Sequence, residues 1–356
     1  MKILENYDLT PLNTFGMRAR ARFFVEVNNE SDLKELFLFP EFKNNSKMFL
    51  GGGSNVLFTN DFDGIIVLNK LKGVDILRED NKNVFIRSMG GEIWHNLVSF
   101  TVEKGYWGIE NLALIPGTVG AAPMQNIGAY GVELKDILEN VEVFEIETGA
   151  KKVFKKTECE FGYRDSVFKS KFKGKYFISA ITLQLSKIPK PNISYKFLRE
   201  YLESNKIIVK NSKASPVASP IRLQPRDVAD AVAEIRRSKL PDPKVIGNAG
   251  SFFKNVFLSE VKIKILLEKF PDMPIFKENE VVKIPSAWLI EHCGPKDGIS
   301  WKGYKEGSVG VHIKQALVLV HYGGGTGLEV KNLAEKIISS VYDKFGIKME
   351  TEVNII

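Results

Sequence analysis

The sequence holds few of the residues that bind metal ions or form disulfide bonds. Among its 356 residues are two cysteines, Cys159 and Cys293, which lie far apart in the chain, and four histidines. Neither the CxxC spacing of a zinc knuckle nor the HExxH spacing of a metalloprotease occurs. We therefore expect no disulfide framework and no metal centre, and the scarcity of cysteine favours a reducing compartment, the cytoplasm.

Long apolar segments are also absent. The first ten residues, MKILENYDLT, lack the apolar region of a signal peptide, and the longest apolar runs, such as residues 316–320, are far too short to cross a bilayer. We expect neither a secretory signal nor a membrane span. No repeat of fixed period occurs either, which argues against solenoid and propeller folds.

Charge is missing from one segment, IPGTVGAAPMQNIGAYG at residues 115–131. It contains four glycines, three alanines and two prolines, so it is too broken for a helix or a regular strand. It is also too uncharged for an ordinary solvated loop. Small residues at this density let the backbone approach a partner closely, and backbone N–H groups bind phosphate or carbonyl oxygens. The segment therefore predicts contact with a large ligand.

The remaining composition is that of a globular protein of two or three domains, with 44% apolar and 26% charged residues. The net charge of +7 suits anionic ligands. Basic residues cluster at 151–156 and 169–175 without the aromatic signature of an RNA-binding motif, and a solvated surface accounts for them. A nucleotide- or RNA-binding protein is the alternative from another class, and its binding would weaken steeply with salt.

The first half of the chain alternates short apolar runs with turns, which is typical of a mixed α and β domain. Strands are predicted at 48–50, 64–68, 84–87, 141–146 and 177–185. Helices are predicted from about Ser31 and over residues 92–104, and Gly105 ends the second of them. We expect this first domain to end near Lys187.

Residues 188–224 contain four prolines and show little periodicity, and we interpret residues 188–226 as a connecting excursion. A second α and β domain, residues 227–345, begins with a helix opened by Pro225. It includes predicted helices over 259–270 and up to Gly346, and a strand at 316–320. The tail, residues 346–356, is predicted as a final strand with Glu350 and Glu352 on one face.

Two glycine clusters lie between these elements. GGGSN at 51–55 follows an apolar run, but Val56 stands where the third glycine of a dinucleotide fingerprint belongs and no helix follows, so we exclude a Rossmann loop. It also lacks the lysine of a triphosphate-binding loop. A tight turn and a ligand-binding loop explain it equally well. GGGTG at 323–327 is predicted as a plain strand-to-helix connection.

Three polar clusters have two interpretations each. FGYRDSVFK at 161–169 contains Arg164, GNAGSFFKN at 247–255 contains Ser251, and TEV at 351–353 contains Glu352. Each cluster has a purely structural explanation. The first would be an ion pair in a turn, the second a serine at the start of a strand, and the third a solvated edge. The alternative is that each supplies a polar group to a common site.

Taken in order, these motifs resemble the UDP-N-acetylenolpyruvoylglucosamine reductases, the MurB family. The resemblance covers nearly the whole chain and rests on GGGSNVLF, GIENLALIPGTVGAAPMQNIGAYG, GYRDSVFK, KLPDPKVIGNAGSFFKN, the strand after Gln315, and TEV. The excursion with Tyr195 resembles the longer type of the family, which carries a tyrosine-bearing loop. The sequence departs from the family pattern at Val256, Ser286 and Ala287 and in an insertion between Cys293 and His312.

The resemblance implies an α+β fold. Residues 1–187 would form a two-part FAD-binding domain of the vanillyl-alcohol-oxidase (PCMH) type, with the tail joining the two parts, and a C-terminal α+β domain would bind substrate. It implies noncovalent FAD, NADPH as electron donor, and reduction of UDP-N-acetylenolpyruvoylglucosamine to UDP-N-acetylmuramate for peptidoglycan. We expect a cytoplasmic monomer that acts on a small UDP-sugar, without nucleic-acid or membrane partners.

The same resemblance assigns roles to residues of this chain. It makes Arg164 the cationic stabiliser, Glu352 an accompanying carboxyl group that carries or shares a proton, and Ser251 the proton donor. The positions that match substrate contacts are Tyr163, Tyr195, Lys239, Asn255 and Gln315. The positions that match the cofactor segments are Gly51, Gly52, Gly53, Ser54, Asn55, Val56, Leu57, Ile115, Pro116, Gly117, Thr118, Gly120, Ala121, Ala122, Gln125, Asn126, Gly128, Ala129, Tyr130, Gly131 and Arg164.

A flavin oxidase or alcohol dehydrogenase on the same cofactor fold is the nearest alternative. Such enzymes often tether FAD through a histidine, and the cofactor motifs of this chain contain none; His95 lies on a predicted helix. Denaturation would release free FAD from a reductase of the resembled family and would leave tethered FAD on the protein.

Overall fold

The computed structural model describes residues 1–208, 223–278 and 281–356. Residues 209–222, which belong to the predicted excursion and include Pro216 and Pro220, lie outside the described residues. Contacts divide the chain into two compact units. The first unit comprises Met1–Tyr7, Ala21–Gly52 and Asp63–Ser238, and the second comprises Asp8–Arg20, Gly53–Phe62 and Lys239–Ile356.

The helices and strands alternate along the chain. Up to the excursion they are β1 (Leu4–Asp8), β2 (Arg20–Val27), α1 (Glu30–Leu36), α2 (Pro40–Asn44), β3 (Ser46–Leu50), β4 (Val56–Leu57), β5 (Phe62–Asn69), β6 (Val74–Glu79), β7 (Asn83–Met89), α3 (Trp94–Glu103), β8 (Gly128–Ala129), β9 (Val132–Glu133), α4 (Leu134–Ile137), β10 (Leu138–Glu145), β11 (Lys151–Lys155) and β12 (Tyr176–Ser186). From the start of the excursion onward they are α5 (Lys196–Ser204), α6 (Pro225–Lys239), β13 (Val256–Leu258), α7 (Glu260–Lys269), β14 (Phe276–Glu278), β15 (Val281–Ile284), α8 (Ser286–Glu291), β16 (Lys305–Glu306), β17 (Val309–Val311), β18 (Leu319–His321), α9 (Gly327–Phe345) and β19 (Asn354–Ile355). The 3₁₀ helices are Thr10–Leu12, Glu110–Leu112, Val119–Gln125 and Lys156–Cys159.

A five-stranded antiparallel sheet forms the larger part of the first unit, in the order β11-β10-β12-β7-β6. Its central strand β12 is buried from residue 177 to residue 183, because its near-continuous apolar run is covered on both faces. One core cluster joins Ile181 and Leu183 of this strand to Leu97 of α3 and Val232 of α6. The sheet thus supports α3, from which the uncharged segment follows.

A second sheet in the first unit has the order β1-β2-β5-β3, with β3 and β5 parallel. Asn29 caps α1 by accepting the N–H of Asp32 in a capping box. Leu33 and Leu36 of this helix are buried in a second core cluster, which also includes Phe144 and Phe177 of the larger sheet. The first unit therefore has two sheets with two cores.

The second unit contains two three-stranded sheets, β13-β15-β14 and β16-β17-β18, and the helices α7, α8 and α9. Helix α9 begins with a capping box between Thr326 and Glu329 and ends at Gly346, whose φ of 66° is left-handed. The tail then runs back into this unit, where β19 pairs in parallel with β4. Val353 of the tail is 3% exposed, so the tail is part of the core.

Most helices and strands expected from the sequence are present within one to four residues of the predicted ends. Three features differ. Helix α5 lies inside the excursion, where no helix was expected. Helix α6 belongs to the first unit up to Ser238, not to the C-terminal domain, because its apolar side chains enter the core under the larger sheet. The tail is a strand only at Asn354–Ile355, and it lies in the second unit instead of joining the two sheets of the first.

Candidate functional site

Two glycine-containing turns of the first unit pack backbone against backbone. A Cβ atom on Gly51 would lie 2.3 Å from Oγ1 of Thr118, and one on Gly52 would lie 2.9 Å from Cα of Gly117. Real Cβ atoms do not approach backbone this closely, so only glycine fits at Gly52 without a shift. The turn after β3 and the uncharged segment, both predicted to bind cofactor, therefore form one surface within the first unit.

The uncharged segment is held by backbone hydrogen bonds to the turn before α3. The N–H of Trp94 donates to Gly117 (3.1 Å), and the N–H of Val119 donates to Glu92 (2.9 Å). The N–H of Gly120 donates to the carbonyl of Gly90 (2.8 Å). From Val119 the segment continues as the 3₁₀ helix Val119–Gln125, which ends at a left-handed Asn126. It is irregular, as expected, but fixed in place.

Left-handed backbone at residues other than glycine is concentrated around this segment. Leu114 (φ 58°), Asn126 (φ 47°), Tyr130 (φ 50°) and Arg164 (φ 53°) all adopt it. Such a conformation costs about 1–3 kcal/mol for a residue with a Cβ and persists where the surroundings enforce it. Asn126 shows how: its amide nitrogen donates to Glu133 (3.0 Å) and to the carbonyl of Gly162 (3.1 Å).

The donors and acceptors around the segment fit a large polar cofactor such as FAD. Oγ1 of Thr118 and Oδ1 of Asn111 are buried and find no hydrogen-bond partner among the described residues. Buried polar atoms without partners are costly unless a ligand or water satisfies them. Together with the glycine cradle at Gly51 and Gly52, they make the first unit suited to hold FAD through backbone and neutral side chains.

Arg164 lies at the edge of this segment. Its Nη2 donates to the carbonyl of Gly128 at 2.8 Å, and its guanidinium carbon is 5.3 Å from the ring centre of Tyr163. The structure thus brings a predicted catalytic residue and a predicted substrate contact to the cofactor segment. All three lie in the first unit.

Arg236 is a candidate site residue that the sequence reasoning missed. Its Nε is buried and has no hydrogen-bond partner among the described residues. Burial lowers the pKa of the Arg236 guanidinium; Tyr130 partly offsets this, and the charge of Arg164 adds to it. Burial also raises the pKa of Tyr130. The guanidinium groups of Arg164 and Arg236 are partly shielded from water and affect each other, so together they favour binding of an anion. The available signal was an arginine four residues after Val232, on the apolar face of α6.

Tyr195 immediately precedes α5. Its ring packs edge to face on Tyr130, with the ring centres 5.2 Å apart, and is 41% exposed. Asn192 donates from its amide nitrogen to the carbonyl of Gly131 at 2.9 Å. The start of the excursion therefore lies over the end of the uncharged segment, inside the first unit.

In the second unit the structure gathers three predicted residues, Ser251, Gln315 and Glu352, around one extended segment. Ser251 forms a bridge with Val318, and the N–H of Phe252 donates to Leu317 (2.7 Å). On its other side, the N–H of Glu352 donates to Phe252 (2.8 Å). The side chain of Gln315 accepts the N–H of Leu317 at 3.3 Å, next to the same segment.

Asn55 connects the GGGSN motif to the tail. Its side-chain nitrogen donates to the carbonyl of Glu352 at 3.4 Å, and its own carbonyl accepts the N–H of Asn354 at 3.1 Å. Gly53 precedes it in a left-handed conformation (φ 60°), where a Cβ would lie 1.8 Å from the carbonyl oxygen of Leu12. Residues 53–57 thus belong to the second unit, whereas Gly51 and Gly52 belong to the first.

Asn255 accepts a hydrogen bond from Ser286, one of the residues that depart from the family pattern. Ser286 is fully buried, and its N–H donates to Oδ1 of Asn255 at 3.1 Å. The Ser286 hydroxyl donates to the carbonyl of Lys254 at 2.6 Å. Lys239 is the first residue of the C-terminal segment of the second unit, and burial lowers the pKa of its amine.

The remaining observations concern the GGGTG motif, metal-binding side chains and membrane-spanning helices. GGGTG leads from β18 into the cap of α9, as the plain connection expected. In the described ranges no group of three or more metal-binding side chains could hold an ion. Over the same ranges no helix is long and apolar enough to cross a membrane.

Comparison with known proteins shows which family the chain matches. Residues 242–356 match the C-terminal domain of UDP-N-acetylenolpyruvoylglucosamine reductase, and residues 21–151 match an FAD binding domain. The chain is 46% identical to a protein of Amoebophilus asiaticus and 42% identical to one of Flavobacterium johnsoniae, each over 357 residues and 100% of both chains. A Bdellovibrio bacteriovorus protein is 44% identical over 352 residues, or 99% of both chains. All three are named UDP-N-acetylenolpyruvoylglucosamine reductase.

A solved structure shares the fold. The UDP-N-acetylenolpyruvylglucosamine reductase (MurB) from Thermus caldophilus superposes with a TM-score of 0.65 at 20% identity, covering 99% of this chain and 98% of the other. Together with the FAD-binding match, this likeness confirms the predicted α+β fold class.

Proposed function

Because the chain belongs to the family of UDP-N-acetylenolpyruvoylglucosamine reductases, we propose that Arg164, Ser251 and Glu352 carry out its reaction. The protein is a flavin-dependent oxidoreductase. With NADPH as donor it reduces the enolpyruvyl ether of UDP-N-acetylenolpyruvoylglucosamine to the lactyl ether of UDP-N-acetylmuramate, for peptidoglycan synthesis. The observation that carries the cofactor assignment is the packing of Gly51 and Gly52 on Gly117 and Thr118.

The first unit would hold FAD with the backbone of the two packed turns and with the neutral side chains of Thr118 and Asn111. When bound there, FAD would supply a two-electron carrier between NADPH and the vinyl group of the substrate. The absence of charge from residues 115–131 leaves this surface without competing ion pairs. Close backbone approach then replaces side-chain contacts.

Arg164 would stabilise the charge that develops on the substrate carboxylate and its adjacent carbon. Its hydrogen bond to Gly128 and its left-handed backbone hold the guanidinium in one position before substrate binds. A preorganised cation of this kind lowers the barrier because nothing has to reorient as charge forms. Arg236 would add a second cation on the same side of the first unit.

Ser251 would deliver a proton to the carbanion-like carbon that bears the carboxylate, while the terminal vinyl carbon receives the hydride. A serine hydroxyl is a weak acid, but a carbanion-like carbon is strongly basic, so placement matters more than acidity. The backbone pairing of Ser251 with Val318 and of Phe252 with Glu352 supports a fixed hydroxyl.

Glu352 would polarise the substrate carboxylate together with the arginine. Two carboxylates side by side repel each other, so Glu352 must carry or share a proton when substrate is bound. Its backbone N–H and carbonyl are both engaged by neighbours, which keeps the side chain at a defined place in the second unit.

The residues predicted to contact substrate differ in the part of the substrate that their chemistry suits. Lys239 suits the diphosphate, because an anion would compensate the burial of its amine. Tyr195 suits a lid, since its ring is partly exposed and packs on Tyr130. Tyr163, Asn255 and Gln315 supply the remaining polar contacts.

The test of this function uses the colour of the bound flavin. Purified protein should be yellow, bleach with NADPH in the absence of oxygen, and recolour when enolpyruvyl-UDP-N-acetylglucosamine is added. Recolouring only when oxygen enters would contradict the proposal and would identify an oxidase. Heat or acid should release free FAD into the supernatant, because the cofactor is not tethered.

We also propose that the enzyme acts in the cytoplasm as a monomer, without nucleic-acid or membrane partners. Cys159 and Cys293 support a reducing compartment, because both are free and buried and burial raises the pKa of each thiol. Sedimentation at micromolar concentration should give the mass of one 40.0 kDa chain. A dimer mass would contradict this part of the proposal.

A further inference from the structure

His95 makes a hydrogen bond that the reaction does not use. It lies in the first turn of α3, and its Nδ1 accepts the backbone N–H of Leu114 at 3.2 Å, across 19 residues of sequence. Leu114 stands immediately before the uncharged segment. Both residues lie in the first unit. The imidazole therefore touches the chain at the entry to the proposed cofactor segment.

Leu114 adopts a backbone conformation that leucine avoids. Its φ of 58° is left-handed, where the Cβ of an L-residue comes close to the carbonyl oxygen that follows. A glycine at this position would adopt the same conformation without strain. An outside hydrogen bond to the Leu114 N–H favours the strained conformation over the alternatives. Among the side chains of the described residues, His95 supplies that bond.

We propose that His95 is a positioning residue for the cofactor, acting through Leu114: its neutral imidazole keeps the entry of the uncharged segment in the conformation that holds FAD. The proposal rests on the assignment of residues 115–131 to FAD binding. It implies that loss of the acceptor, by substitution or by protonation, weakens FAD binding without touching the reacting groups. Cofactor retention then depends on pH.

The sign of that dependence follows from the imidazole chemistry. A protonated imidazole has two N–H donors and no acceptor, so it cannot receive the N–H of Leu114. Burial lowers the pKa of His95 below its usual 6.5; Arg237 on α6 lowers it further and Asp230 on α6 raises it. The folded state therefore keeps the ring neutral at pH 7. The bond is fully present above about pH 6.5 and is lost as the pH falls through the lowered pKa.

The experiment measures free FAD released when the holoenzyme is diluted, by flavin fluorescence, between pH 5 and pH 8. For the unaltered protein we expect a constant FAD dissociation constant above pH 6.5 and weaker binding below it. His95→Ala should weaken FAD binding about tenfold at pH 7.5, the scale of one lost hydrogen bond, and remove this part of the pH dependence. His95→Gln offers a carbonyl oxygen that does not titrate, so it should restore most of the affinity and show no loss at low pH.

A second pair of variants tests whether His95 acts through Leu114. Leu114→Gly removes the strain, so we expect near-normal FAD binding from it. The double variant His95→Ala/Leu114→Gly should then bind FAD within about twofold of Leu114→Gly alone. A full tenfold loss from His95→Ala in the Leu114→Gly background would overturn the proposal, because a merely structural histidine would act regardless of residue 114.

His292 provides the matched control. It lies in the second unit, stacked on Trp288, so His292→Gln should leave the pH profile of FAD release unchanged. Unaltered affinity in His95→Ala at all pH values would refute the role of His95. If Gly52→Ala also left FAD binding unaltered, the assignment of the segment itself would be wrong, which distinguishes the two failures.

Discussion

Gly52 and Gly117 meet with no room for a side chain: a Cβ on Gly52 would lie 2.9 Å from the Cα of Gly117. The obstacle is backbone, which cannot swing aside as the end of a flexible side chain does. Gly117 in turn is anchored, since its carbonyl accepts the N–H of Trp94. The two turns therefore define each other's position within the first unit.

Gly52→Ala should weaken FAD binding by at least tenfold, because the added methyl group pushes the two turns apart by several tenths of an ångström. Flavin fluorescence on dilution of the holoenzyme measures the dissociation constant. Gly174→Ala is the control: a Cβ there has nothing within 4 Å, although its φ of 73° makes alanine strained. Equal loss of FAD from both variants would show that general destabilisation, not the cradle, is responsible.

Ser251→Ala should separate the two half-reactions. Reduction of the flavin by NADPH should stay within about twofold, whereas reoxidation by substrate should slow by about 10²–10⁴, the range for loss of a general acid. Anaerobic stopped-flow absorbance follows both steps in one preparation. Equal slowing of both half-reactions would contradict the role of Ser251 as proton donor.

Arg236→Met should lower kcat/KM by about 10² while leaving the melting temperature unchanged or higher. The functional loss follows from removing a preorganised cation, and the stability gain from removing a desolvated guanidinium whose buried Nε has no hydrogen-bond partner among the described residues. Steady-state kinetics and thermal unfolding measure the two effects. Arg237→Met, at an exposed neighbour on the same helix, is the control. A melting temperature several degrees lower with normal kinetics would make Arg236 a structural residue.

Because the carboxyl group of Glu110 is buried, we expect it to make the free energy of unfolding decline as the pH rises. The carboxyl group is 1% exposed, and burial raises its pKa from 4.5 to about 7, although the N–H of Gly108 donates to it. A raised carboxyl pKa means that the folded state holds the proton more tightly than the unfolded state. This contribution is complete below pH 4.5 and is lost as the pH rises through 7, by up to about 3 kcal/mol.

Glu110→Gln should remove that part of the pH dependence, because an amide does not titrate and its oxygen can still accept the Gly108 N–H. Urea unfolding of the holoenzyme at pH 5, 6, 7 and 8 measures the difference. Parallel stability profiles for the two proteins would show that Glu110 does not hold its proton in the folded state.

Several local features were predictable because neighbours in sequence decide them. Thr326 and Glu329 form a capping box in the first turn of α9, and Gly346 ends the helix through a conformation that glycine adopts freely. The near-continuous apolar run of β12 likewise predicted a strand from neighbouring residues alone. Helix α5 was not predicted, although Leu198 and Leu202 lie four residues apart on one face, because the prolines before it dominate the composition of the excursion.

The candidate site was predictable only in part. The uncharged segment and the motif resemblance pointed to FAD and to Arg164, Ser251 and Glu352. Arg236 escaped because a charged residue on a helix is ordinarily solvated, and its burial depends on the packing of α6 under the larger sheet. His95 is similar: its meaning depends on the backbone conformation of Leu114, which no sequence pattern displays.

The sequence by itself determined most of the helices and strands that were expected from it, the neutral composition of the cofactor segment and the family. Only the tertiary structure decided which residues far apart in the sequence come into contact. It set Gly52 against Gly117, joined Asn55 to Glu352 across 297 residues, and turned Arg236 inward. The physical reason is range: propensity and capping act over a few residues, whereas these contacts form only when distant segments close-pack around shared cores and each buried polar group competes for the acceptors that remain.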